Sequence, residues 1–147
     1  MSFHKADFAT RFQTMGDPAE SAYDQVYPKS HKLGLNRPGF SMRGMTAAQR
    51  YTPDRMFRDR FVECMGCGRD DTLKIKDEKI EALKQWRMLG PVYLFVWSSK
   101  RSLYWEEPLE DWLIALAEHG VPGEFTNDSK TFRGLNVSHF PGSPNQP

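Results

Sequence analysis

The stretch PVYLFVWSSKRSLYW, residues 91–105, constrains this 147-residue chain more than any other. Residues 92–97 and 102–105 are two runs rich in β-branched and aromatic side chains, and the polar residues 98–101 join them, so the stretch reads as a β-hairpin. A lone hairpin is marginal in water and must be covered by a helix or by another chain. The residues that follow, PLEDWLIALAEHG, supply such a helix. Leu109, Trp112, Leu113 and Leu116 recur at helical spacing, Glu110 and Asp111 fall in the first turn, His119 in the last, and Gly120 and Pro122 stop it.

Upstream, Asp77 with Ile80, Leu83 and Trp86 predicts a helix ended by Gly90-Pro91, and TLKIK before it alternates like a short strand. Pro53 to Met65 also reads as a helix. Phe57, Phe61, Cys64 and Met65 would form one apolar face there, with Thr52 as cap and Gly66 at the stop. Asp17-Pro18 with Glu20 predicts one further short helix ended before Pro28. Residues 28–45 and 122–147 are rich in Gly and Pro with isolated large apolar side chains, and read as extended arms. The fold class expected is α+β: a small, mainly helical centre at 52–121 with one hairpin, an N-terminal arm at 1–51 and a C-terminal arm at 122–147.

Composition agrees with a modest core. Hydrophobic residues make up 39% and mean hydropathy is −0.65, while aromatics reach 13%, so single large side chains are expected to pin extended segments. Twenty Lys and Arg against 19 Asp and Glu give no overall field toward a polyanion, which makes nucleic acid an unlikely partner on total charge. Two cysteines cannot build a disulfide framework, and MSFHKADFATRF lacks the order of a secretory signal. An intracellular protein is expected, with the mitochondrion as first address because Phe8 and Phe12 with His4, Lys5 and Arg11 hint at an amphipathic targeting helix. Residues 88–97, the longest apolar run, are about half of what a membrane span needs. They read as a buried strand, with contact at a membrane surface as the alternative.

Cys64 and Cys67 are the most chemical-looking pair. A redox pair needs its thiolate at a helix N-terminus, whereas the expected helix places this pair at a C-terminus. A zinc site needs a second pair of ligands, and His4, His31, His119 and His139 lack the spacing for one. Packing as small buried residues is the simplest reading, with metal binding the minor one. Glu106, Glu107, Glu110 and Asp111 are explained by a helix start, and no phosphate-binding glycine loop or nucleophile elbow occurs.

No catalytic residue or cofactor is therefore assigned, and the chain is read as a non-enzyme. The expected function is that of an accessory structural subunit of a large multiprotein assembly, with a mitochondrial respiratory-chain or ATP synthase complex as first host. Other subunits are its expected partners, contacted through Phe8, Phe12, Tyr23, Tyr27, Arg37, Phe40, Arg43, Phe125, Phe132 and Phe140. The basic arm at residues 29–50 suits an acidic protein surface first and RNA second. A ciliary or microtubule-associated protein, and a small zinc or thiol-redox protein using Cys64 and Cys67, are the alternatives.

Overall fold

The computed structural model describes residues 17–34, 44–126 and 129–147. In chain order these form α1 (Asp17–Val26), β1 (His31–Lys32), α2 (Ala47–Arg50), β2 (Arg55–Phe57), β3 (Arg60–Gly66), β4 (Thr72–Lys76), α3 (Asp77–Arg87), β5 (Val92–Ser98), β6 (Leu103–Pro108), α4 (Leu109–His119), β7 (Val121–Glu124), β8 (Thr131–Asn136) and a 3₁₀ turn at Val137–His139. One sheet has the order β1-β2-β3-β5-β6 and a second the order β4-β8-β7. β3 and β5 are parallel, joined through β4 and α3, whereas β1-β2, β2-β3 and β5-β6 are antiparallel.

Side-chain alternation along β3 and β5 sorts the core into two layers. Val62, Cys64 and Phe95 point to one face and pack with Ala19, Ala22 and Tyr23 of α1. Val92, Leu94 and Val96 point to the other, where they meet Ile80 and Leu83 of α3, Leu109, Trp112 and Leu116 of α4, and Leu73, Ile75 and Leu135 of the small sheet. Phe61 and Met65 pack at the margin of this second layer. The larger sheet thus lies between α1 and a layer built from α3, α4 and the small sheet.

The expectation of a mainly helical centre with one hairpin is overturned: the described residues form eight strands in two sheets and four helices. The helix expected over Pro53 to Met65 is two strands, β2 and β3. A strand covered on both faces is apolar on both, so it loses the period-2 contrast that identifies a half-exposed strand, and a helical spacing can fit it by accident. The predicted helices α1, α3 and α4, the strand β4 and the hairpin β5-β6 are present. Segments read as arms contribute elements too: β1 edges the large sheet, and β8 is the central strand of the small one.

Candidate functional site

The antiparallel register of β2 and β3 pairs Arg55 with Val62, which brings Asp54, just before β2, alongside Glu63. Asp54 is held from two sides. Its backbone carbonyl accepts from Leu33 N–H at 3.0 Å, and its Oδ2 accepts from Cys64 N–H at 2.8 Å. Glu63 is 4% exposed and lies toward α3, where Lys79 Nζ meets its Oε2 at 2.8 Å. The other oxygen, Glu63 Oε1, is buried without a partner. Two carboxylates and an ammonium therefore converge where the start of β2 and the middle of β3 meet the first turn of α3.

Their electrostatics are mutually dependent. Burial, then the neighbouring Glu63, pushes the Asp54 carboxyl well above the usual carboxylate range, against the opposing pull of Lys79. Burial disfavours the charge on Lys79, but Glu63 and Asp54 outweigh it and hold its pKa above the ordinary value. On the α1 face Arg55, 2% exposed, pairs with Glu20 Oε1 at 3.3 Å and Asp24 Oδ2 at 3.1 Å, and its Nε and Nη1 are buried without partners. Such a concentration of buried ionisable groups costs stability, and it occurs both in sites that do chemistry and in structural ion-pair networks.

A short strap lies across α3 beside this cluster. Thr46 caps α2 with a reciprocal capping box to Gln49, and Trp86 Nε1 of α3 donates to Ala48 O at 2.9 Å. Tyr51 places its ring 5.5 Å from Lys79 Nζ and donates its hydroxyl to Glu78, which also pairs with Arg50 and Lys130.

The residues singled out from sequence fall elsewhere. Cys64 belongs to the α1-side cluster and Cys67 to the opposite one, so the two thiols lie on different sides of the sheet. Burial pushes both thiols up, Cys64 furthest, with Asp54 and Glu63 adding to it. Cys67 Sγ lies 3.6 Å from Trp97 O, a weak thiol hydrogen bond. Among the described residues no three His, Cys, Asp or Glu gather closely enough to cage an ion by themselves.

Among the expected partner contacts, Tyr23 is fully buried edge-on to Phe95 at 5.0 Å, and Tyr27 lies 4.8 Å from Tyr23 and from Phe57. Phe125 and Phe132 pack on each other at 4.5 Å, and Phe140 is wedged against Trp105 and Trp112 at 5.0 and 5.1 Å. All five engage their own chain. Phe8, Phe12, Arg37, Phe40 and Arg43 lie outside the described residues.

Sequence reasoning missed Asp54, Glu63 and Lys79. The signal that could have found them is Glu63 itself, an acid set inside the otherwise apolar run FVECM. In a helix it would sit harmlessly on the outer face, but in a strand covered on both sides it must be buried with a partner. Comparison of the chain with protein-family models, with curated proteins and with solved structures returns no match.

Proposed function

We propose that this protein is a divalent-cation-dependent phosphodiester hydrolase acting on nucleic acid. The observation that carries the reading is the convergence of Asp54, Glu63 and Lys79, with Glu63 Oε1 buried and without a partner. Magnesium is usually held by one or two carboxylates, several waters and the substrate's own phosphate oxygens, so two acids suffice. Burial, then the neighbouring Glu63 charge, raises the Asp54 pKa, and a cation between the two carboxyls would offset the second of these. Such an ion supplies Lewis-acid polarisation of the phosphoryl group and a water more readily deprotonated than bulk water.

The chain's own residues do the rest. Asp54 and Glu63 would hold the ion, while protonated Lys79 would stabilise negative charge gathering on the phosphoryl oxygens and help place the attacking water. Water oxygen adds to phosphorus, the P–O ester bond breaks, and the proton lost by water balances the one gained by the leaving oxygen. The products are a phosphate monoester and a free hydroxyl.

Charge distribution supports a polyanionic substrate although the total charge does not. Residues 28–60 hold eight Lys and Arg (29, 32, 37, 43, 50, 55, 58, 60) against two acids (Asp54, Asp59), in a chain whose net charge is +1; of the eight, Arg55 is buried against Glu20 and Asp24, and Arg50 pairs with Glu78.

Incubation with plasmid and labelled oligonucleotides in Mg²⁺ or Mn²⁺, with EDTA as control, tests the reading. Cleavage should require the cation, and Asp54→Asn, Glu63→Gln and Lys79→Met should each lower it by about 10²-fold or more while remaining folded by circular dichroism. Wild-type protein inert toward every substrate, or Asp54→Asn as active as wild type, overturns it.

The accessory-subunit reading, with a mitochondrial complex as host, is favoured by one observation of its own. Met88 and Leu89 stand side by side at the end of α3, 86% and 74% exposed, as an apolar pair fit for another protein. Among the described residues no helix is long and apolar enough to cross a membrane. Co-migration of the endogenous protein with a large complex on native gels supports that reading, and migration near its own 17.0 kDa sinks it.

A further inference from the structure

Arg58, in the tight turn between β2 and β3, has a φ of 57°. That left-handed conformation favours glycine, so a long cationic side chain there carries a backbone cost. Its guanidinium is held 5.2 Å from the centre of the Phe57 ring. Beside it runs β1, the outermost strand of the large sheet among the described residues, where His31 pairs with Met56 and Lys32 with Arg55. Lys29 precedes this edge as Arg58 follows it on the neighbouring strand. Lys29, His31, Lys32 and Arg58 are all exposed.

Several other cations of the described surface sit on acids: Lys84 on Glu81, Arg87 on Glu110, Lys100 and Arg101 on Asp71, Lys130 on Glu78. Among the described residues Lys29, Lys32 and Arg58 have no acidic partner. They share one edge, and its inner end is the candidate site, since Leu33 N–H donates to Asp54 O. Arg58 lies four positions after Asp54, a run of about 13 Å at the rise of a strand.

We infer that Lys29, Lys32 and Arg58 form a phosphate track along the β1-β2 edge that holds one strand of nucleic acid and leads it to Asp54 and Glu63. The inference rests on the hydrolase reading for its substrate, but binding tests it without cleavage. The strain at Arg58 fits this role: the turn keeps a cation where a neutral glycine would fold more easily.

The experiment is fluorescence anisotropy with a labelled single-stranded oligonucleotide and the matching duplex, in EDTA, from about 50 to 200 mM salt, where counterion release dominates affinity. Wild-type protein is compared with Lys29→Ala/Lys32→Ala/Arg58→Ala and with Arg58→Gly. The triple variant should bind more weakly at every sequence, and the slope of log affinity against log salt should fall by about 2 to 3. Arg58→Gly should lose about one unit of slope yet melt no lower than wild type, which separates lost affinity from lost folding.

A triple variant with the wild-type slope overturns the track whether or not the protein cleaves. Equal weakening toward poly-glutamate also overturns it, because the edge would then be a docking site for acidic protein. Salt-sensitive loss of oligonucleotide binding in the variants, with no cation-dependent cleavage by wild type, supports the track and refutes the hydrolase.

Discussion

Glu106 on β6 shows how much a single carboxyl decides. Tyr27 donates its hydroxyl to Glu106 Oε1 at 2.5 Å, bridging α1 to the far side of the sheet, while Glu106 Oε2 and the Tyr23 hydroxyl are buried without partners. Burial raises the Glu106 pKa, against the opposing hydrogen bond from Tyr27 and the charge of Arg60. A carboxyl whose folded pKa is raised contributes stability that is complete below its unfolded value of about 4.3 and is lost as pH rises through the folded value. Glu106→Gln keeps the acceptor for Tyr27 and removes the titration. Urea unfolding from about pH 4 to 7 should therefore show the variant gaining on wild type as pH rises, and parallel curves would refute this account.

At the scale of elements, α2 is a single turn that owes its place to side chains rather than to helix length. Trp86→Phe keeps the packing on Phe61, whose ring centre lies 5.4 Å away, but removes the bond to Ala48 O. A loss of about 1 kcal/mol is expected, read by chemical denaturation, with faster amide exchange at residues 47–51 and none of that change in β5. Equal acceleration in both places would show that the bond does not tie down the strap.

Some elements could be read without their neighbours and others could not. Helix α4 has one buried face and clear stops, and β5-β6 are consecutive in sequence, so local pattern suffices for both. β3 is different because Val62 and Cys64 serve one layer while Phe61 and Met65 border the other. Only the pairing of β3 with β5, far off in the chain, tells that both faces are covered. The same holds for the candidate site: Asp54, Glu63 and Lys79 come from three elements, and no spacing in the sequence announces a register or a crossover. The basic character of residues 29–50 was legible, and it fitted an acidic protein surface first and RNA second.

For the molecule as a whole, the C-terminal residues are part of the core. Phe140 is 8% exposed, packed edge-on against Trp105 of β6 and at a tilt against Trp112 of α4. Phe140→Ala should cost about 3 to 5 kcal/mol in chemical denaturation, whereas substitution of exposed Gln146 by Ala should change little. A loss below about 1 kcal/mol for Phe140→Ala would mean that the terminal segment only rests on the surface.

That segment continues past Phe140 to Asn145, whose N–H and C=O both pair with Tyr104 at 2.8 and 2.9 Å, along the outer side of β6. β6 is the last strand of its sheet, and an uncovered outer strand offers its free backbone groups to any passing chain. The tail therefore also guards against aggregation: a chain trimmed after residue 142 would keep Phe140 and its core, yet expose a sticky edge and tend to self-associate.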